Sequence, residues 1–183
     1  MALYDTVSGE GGGTRSLTRV ERFFPDDEII VSKTDPKGRL VYVNDIFLSV
    51  SGYTERELIG QPHSVIRHPE MPRCVFRLMW ERIGSGQEIF AYVNNRAKNG
   101  DHYWVFAHVT PSYEGPGRLV GYHSNRRVPR REAIEKIKPI YGALLSEENR
   151  HADRKAGLDA SCRLLNDHLV SLGKSYDQFV HEL

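Results

Sequence analysis

The sequence predicts an α+β domain built on a five-stranded antiparallel sheet with short helices on one face, preceded by an N-terminal helix and followed by a helical extension. Three observations lead there. Two short β-prone runs are joined by a turn rich in proline and glycine. Three longer β-runs follow one another through turn signals in the second half of the chain. Between the two sets the apolar residues switch to helical spacing, which groups the helices rather than alternating them with strands.

The elements follow in order. Residues 1–15 are rich in Ser and Gly and bury little, so they read as a flexible tail. Leu17, Val20, Phe23 and Phe24 recur at helical spacing up to Pro25, which predicts a short flanking helix within 16–27. Ile29–Ser32 and Leu40–Val43 are strands joined by Asp35-Pro36-Lys37-Gly38. Asp45–Val50 is helical up to Ser51-Gly52-Tyr53, and Thr54 with Glu57 forms a capping box for one more turn.

Residues 61–71 hold two prolines, Pro62 and Pro69, and polar chemistry unsuited to a core element. They are where a ligand site is sought. Pro72 opens a helix whose stripe is Val75, Phe76, Met79, Trp80 and Ile83, closed by Gly84 and Gly86. Ile89–Arg96 and His102–Pro111 are strands joined by Asn99-Gly100-Asp101, and Arg118–Arg126 is the last.

From about Pro129 the chain is helical. Ile134, Ile137, Tyr141 and Leu144 share one face, and Pro139 should bend that helix. Leu158, Cys162, Leu165, Leu169, Leu172, Tyr176, Phe179 and Leu183 recur in alternating steps of four and three, a heptad-like seam. Pairing of two copies along this seam is the favoured reading, and packing back on the chain's own domain is the other.

Composition narrows the function. With 25 Lys and Arg against 24 acidic residues in 183, the balance argues against a protein whose main work is gripping nucleic acid or anionic lipid. No apolar run approaches the roughly 20 residues that span a bilayer, so no direct membrane insertion is expected. Cys74 and Cys162 form neither a disulfide framework nor a metal spacing, which suits a reducing cytosol and a cytoplasmic protein. No glycine-rich phosphate loop, catalytic triad or paired carboxylates appear, so no enzyme is expected. The basic cluster Arg126, Arg127, Arg130 and Arg131 reads as solvated linker charge.

Specific strings point further. Tyr42-Val43-Asn44-Asp45-Ile46-Phe47, Ser51-Gly52-Tyr53 and Glu57-Leu58-Ile59-Gly60 resemble the opening of a PAS sensory domain. Gln61-Pro62-His63, Arg67-His68-Pro69-Glu70-Met71-Pro72, Met79-Trp80, Asn95-Arg96, Lys98 through Val105 and Gly121-Tyr122 resemble the PAS domain of bacterial aerotaxis receptors. The likeness covers 28–128 and leaves 129–183 as the extension. It departs at Glu70, where the family's string carries Asp, and at Ile89, which replaces an aromatic.

The resemblance implies a cytosolic sensor that holds FAD non-covalently and reports redox, oxygen or energy state to a chemotaxis-type receptor or kinase complex. Carried over by position, the family's flavin site falls on Asn44, His63, Arg67, His68, Glu70, Trp80 and Asn95, and Trp104 offers a further aromatic wall. The residues suit that chemistry. Arg67 has a planar fork for paired oxygens, the indoles can flank a ring, and the two asparagines can both donate and accept. Other readings stay open: Asn44 as a helix cap, Trp80 as core, Arg67 and His68 as a surface loop. A haem-binding gas sensor held by one axial histidine and a cofactor-free interaction module are the alternatives to flavin.

Overall fold

The protein is described from a computed structural model over residues 16–183, so the tail expected at 1–15 lies outside the described residues. The elements are β1 (Ile30–Thr34), β2 (Leu40–Val43), α1 (Asp45–Ser51), α2 (Glu55–Leu58), a 3-10 turn at His63–Ile66, α3 (Arg73–Gly84), β3 (Ile89–Arg96), β4 (His102–Glu114), β5 (Arg118–Arg127), α4 (Arg131–Asn149), α5 (Arg154–Leu172) and α6 (Tyr176–His181). The five strands form one antiparallel sheet in the order β2-β1-β5-β4-β3. Because the last strand pairs with the first, the segment between β2 and β3 must cross one face of the sheet, and it carries α1, α2 and α3 there.

Register places the side chains. Ser32 lies opposite Ser124 and Thr34 opposite Tyr122, while Ala107 lies opposite Arg126 and Val109 opposite Ser124. Side chains alternate across a strand, so Ser32, Thr34, Val93, Asn95, Ala107, Val109, Tyr122, Ser124 and Arg126 share the helix-covered face. Tyr92, Trp104 and Phe106 point to the other.

Local signals set the short helices. Asn44 caps α1 by accepting from the Phe47 N–H, and Thr54 with Glu57 forms the expected capping box on α2. Gly52 ends α1 in the left-handed conformation that glycine adopts without strain.

The helical extension wraps the β3 edge. Tyr141 of α4 stacks on Trp104 and donates its hydroxyl to the Tyr92 carbonyl on the outer face. Acidic residues of all three C-terminal helices meanwhile reach α3 on the inner side. The expected apolar face Ile134, Ile137, Tyr141 and Leu144 is buried in the common core. Pro139, expected to bend α4, sits inside an uninterrupted helical span.

Two expectations are corrected. Residues 16–24 form no helix, and Arg19 among them takes a left-handed φ of 62°. Their backbone pairs with the turn before β4: the Thr18 N–H donates to the Gly100 carbonyl, the His102 N–H to Val20, and the Arg22 N–H to His102. Asp101 accepts from Thr18 Oγ1 and Arg22 Nε. Tertiary hydrogen bonds thus outweigh the helical spacing of Leu17, Val20, Phe23 and Phe24, and Val20 and Phe23 stay exposed.

The heptad-like seam is the second correction. Gly173 adopts a left-handed cap that breaks the run between α5 and α6. Leu158, Leu165, Tyr176, Phe179 and Leu183 are buried in the chain's own core, with Cys162 and Leu169 packed against it. Leu172 stays exposed.

Candidate functional site

A cleft with about 900 Å³ of empty space, counting its solvent-open mouth, lies between α3, the β1–β2 turn and the inner face of the sheet. Phe76, Met79, Trp80 and Ile83 of α3 form one wall. Val93, Ala107 and Val109 form the apolar floor, with Tyr122 beside them. The Trp80 indole meets Tyr122 edge to face at 5.4 Å. A Cβ on Gly38 would lie 2.7 Å from that indole, so the hairpin turn closes on Trp80 only because residue 38 has no side chain.

Polar groups converge on this apolar slot. Arg126, 3% exposed, donates from Nη2 to Ser32 Oγ at 2.8 Å and to His63 Nε2. Arg67 lies over the Phe76 ring, 3.7 Å from its centroid. Burial holds both guanidiniums down to about 10, against Glu148 in the case of Arg67 and Tyr103 in that of Arg126. Burial, followed by the charges of Arg126 and Arg67, pushes His63 well below the usual histidine value, so His63 is neutral here.

Five buried polar atoms lining the cleft have no hydrogen-bond partner: Thr34 Oγ1, Arg67 Nε, Asn95 Nδ2, Ser124 Oγ and Arg126 Nη1. Three can only donate. Buried polar groups are almost always paired, so this set marks a place where an acceptor-rich molecule completes the structure. Neither Arg67 nor Arg126 has a carboxylate within ion-pair distance among the described residues, which leaves the slot positively charged.

The structure brings together four of the eight residues expected at the site: His63, Arg67, Trp80 and Asn95. The other four lie elsewhere, and each has a physical reason. Asn44 uses its side chain inside the fold, Oδ1 accepting from the Val31 and Phe47 N–H groups and Nδ2 donating to the Ile29 carbonyl. Trp104 has the wrong strand parity and stacks on Tyr141. His68 is buried against His102, with ring centroids 5.7 Å apart, and accepts from the Glu70 N–H. Glu70 itself is exposed.

Arg126 is the residue that sequence reading missed. Placed among Arg127, Arg130 and Arg131 it looks like linker charge. Counting by twos from Tyr122 through Ser124, however, puts Arg126 in phase with the inward face, and that parity was the available signal. Ser32, Thr34 and Ser124 were missed for the same reason.

Residues 40–125 match the family described as the PAS fold. The chain carries a PAS domain. Its sequence is 44% identical over 119 residues to the aerotaxis receptor of Escherichia coli K12, covering 65% of this chain and 23% of the receptor. It is 29% identical over 107 residues to the biofilm dispersion protein BdlA of Pseudomonas aeruginosa, covering 58% of this chain and 23% of that protein. The chain thus spans less than a quarter of these relatives.

Among solved structures, the PAS domain is similar to a light-oxygen-voltage domain probed with a flavin analogue, with a TM-score of 0.53 and 21% identity over 67% of this chain and 87% of that one. An RNA-binding light-oxygen-voltage receptor gives a TM-score of 0.52 at 20% identity, over 64% of this chain and 33% of that one. These likenesses show the fold. No described helix is long and apolar enough to cross a membrane, and no described cluster of His, Cys, Asp and Glu could hold a metal ion.

Proposed function

We propose that the PAS cleft holds a flavin nucleotide, FAD first among the candidates, and that the chain is a cytoplasmic, non-catalytic sensor of redox or oxygen-linked state. The observation that carries this reading is the set of five unpartnered polar atoms around one apolar, aromatic slot with two buried guanidiniums. A flavin ring is flat and apolar in its body and presents carbonyl and ring-nitrogen acceptors along one edge, while its phosphates are anionic. Donors on Arg67, Asn95 and Arg126 suit those acceptors, and Trp80 and Phe76 suit the ring. When bound, a flavin supplies reversible electron uptake; the chain's residues hold it, exclude water and set the local charge.

The same geometry disfavours haem. His63 is the histidine lining the cleft, and its Nε2 is engaged by Arg126, which makes it a poor iron ligand. The 44% identity to an aerotaxis receptor supports a motility-linked output to a chemotaxis-type receptor or kinase complex. That output is read on the exposed faces of α4, α5 and α6, because Leu158, Leu165, Tyr176, Phe179 and Leu183 of the seam are buried within the chain.

The test is the absorption spectrum of the purified chain, as isolated and after refolding with FAD. Flavin bands that survive gel filtration are expected. A colourless protein after refolding with FAD overturns the reading in favour of a cofactor-free interaction module, and a haem spectrum overturns it in favour of a gas sensor.

A further inference from the structure

We infer that α3 carries the state of the cleft to the C-terminal helices, with Glu148 as the positioning residue at the joint. This builds on the reading of the cleft as a ligand site. The helix has two working sides. Phe76, Met79, Trp80 and Ile83 line the cleft, while three arginines outside that stripe each grip one acid from a different C-terminal helix. Arg73 pairs with Glu148 of α4 at 2.9 Å, Arg77 with Asp159 of α5, and Arg82 with Asp177 of α6 at 2.9 Å.

The three pairs are not equivalent. Asp159 and Asp177 keep substantial exposure, and screened pairs of that kind contribute little. Glu148 is 3% exposed. Besides Arg73, its carboxylate accepts from the Cys74 backbone N–H at 3.0 Å. Pro72 at the start of α3 supplies no side-chain cap, so Glu148 takes over that role from another element. A buried carboxylate beside a helix N-terminus is favoured by the helix dipole and costly to leave unpaired. The same carboxylate interacts with Arg67 of the cleft across the start of α3.

The joint also has no slack toward α5. A Cβ on Gly157 would lie 2.4 Å from the Glu148 carbonyl oxygen, so the start of α5 rests directly on the end of α4. A shift of α3 that follows filling of the cleft moves Arg73 and the Cys74 N–H. Glu148 follows them, and α5 follows Glu148. Packed elements pass on such shifts as rigid bodies rather than absorbing them.

The experiment is hydrogen exchange read by mass spectrometry on the full chain, with two perturbations of the cleft. One is addition of FAD, its binding followed separately by quenching of flavin fluorescence. The other, with no ligand, is Trp80→Ala, which unloads the cleft face of α3. Both are expected to change exchange in residues 73–84 and in residues 148–165. In a Glu148→Gln background the change at 73–84 should persist, FAD should still quench, and the change at 148–165 should be lost. Arg73→Lys keeps the charge while altering the reach and gives the same readout should Glu148→Gln fail to fold. Changes at 148–165 that survive both substitutions, or a Trp80→Ala chain with unaltered 148–165, overturn the inference. If FAD does not quench, the flavin reading fails, and the Trp80→Ala arm still decides the coupling.

Discussion

Arg126 and His63 meet at the back of the cleft, the guanidinium Nη2 donating to His63 Nε2. The histidine lone pair is therefore held by a cation, its ring lies edge-on to Phe47 with centroids 6.4 Å apart, and Arg67 adds a second positive charge nearby. His63 can serve as an acceptor for Arg126 only while it is neutral. A ligand that brings negative charge into the slot offsets the two guanidinium charges, which add to burial in keeping His63 unprotonated.

The first prediction concerns pH. The folded-state value of His63 lies well below 6.5, and that of His68 is lowered too, mainly by burial. Between the folded and unfolded values the unfolded chain binds more protons, so stability rises with pH there and is lost as pH falls below about 6.5. Urea midpoints should drop from pH 7 to pH 5, with a slope of up to about 1.4 kcal/mol per pH unit per histidine. Replacing both His63 and His68 with Gln should flatten that dependence. An unchanged slope in the double variant would show that other groups set it.

Arg126 gives the second. Burial lowers its value from 12.5 to about 10, which corresponds to a cost of roughly 3 kcal/mol for keeping the charge in place. Arg126→Met removes that cost and forfeits the charge-assisted bonds to Ser32 and His63, each worth about 1.5–3 kcal/mol, so the two effects roughly offset. The ligand-free variant should melt within a few degrees of the parent, while flavin retention falls at least about tenfold, as expected for loss of a charged contact near 1.4 kcal/mol or more. Calorimetry and flavin stoichiometry read the two effects separately.

How much of this was legible follows from particular residues. Strand pairs, the capping box at Thr54 and the helix after Pro72 are local patterns, and they appear in the structure as read. His63, Arg67, Trp80 and Asn95 were found because the strings that contain them resemble a known family. Asn44 and Trp104 could not be placed, because a cap and a cofactor contact use the same residue type and because only parity says which of Tyr103 and Trp104 faces inward. The non-helical path of residues 16–24 depends on Asp101, some eighty residues away in sequence, which no local spacing reports. The seam along α5 and α6 has the same period whether it meets a second copy or its own domain. Only the burial of Leu158, Leu165 and Phe179 decides between the two.

Asn44 and Asn95 should separate folding from binding. Asn44→Ala removes a helix cap together with the bonds to Val31 and Ile29 and should cost about 1–2 kcal/mol of stability with flavin affinity unaltered in the folded fraction. Asn95→Ala removes an unpartnered donor from the cleft and should weaken binding with little loss of stability. Fluorescence titration alongside thermal melts distinguishes the patterns, and equal effects on both readouts would place Asn44 at the ligand.

Asp101 should control the N-terminal segment. It accepts from Thr18, Arg22 and Asn99, and those bonds hold its carboxyl down to about 2. Asp101→Ala should release residues 16–22 and make Arg19 and Arg22 sensitive to trypsin while the sheet survives. Cleavage no faster than in the parent chain would show that the backbone pairing to Gly100 and His102 suffices.

Leu165 tests where the seam packs. It is 6% exposed within the chain's own core, so Leu165→Ala removes packing from the α5 contact and should cost about 2–4 kcal/mol. If the seam joined two copies, that loss would depend on protein concentration, because mass action ties the stability of such an assembly to the amount of protomer present. The structure predicts a loss that is the same across a hundredfold range of concentration, with no change in sedimentation between parent and variant. Val170 lies on the same helix but is exposed, so Val170→Ala should leave stability within about 0.5 kcal/mol of the parent. A concentration-dependent effect of Leu165→Ala would mean that α5 leaves its own domain to pair with a second copy.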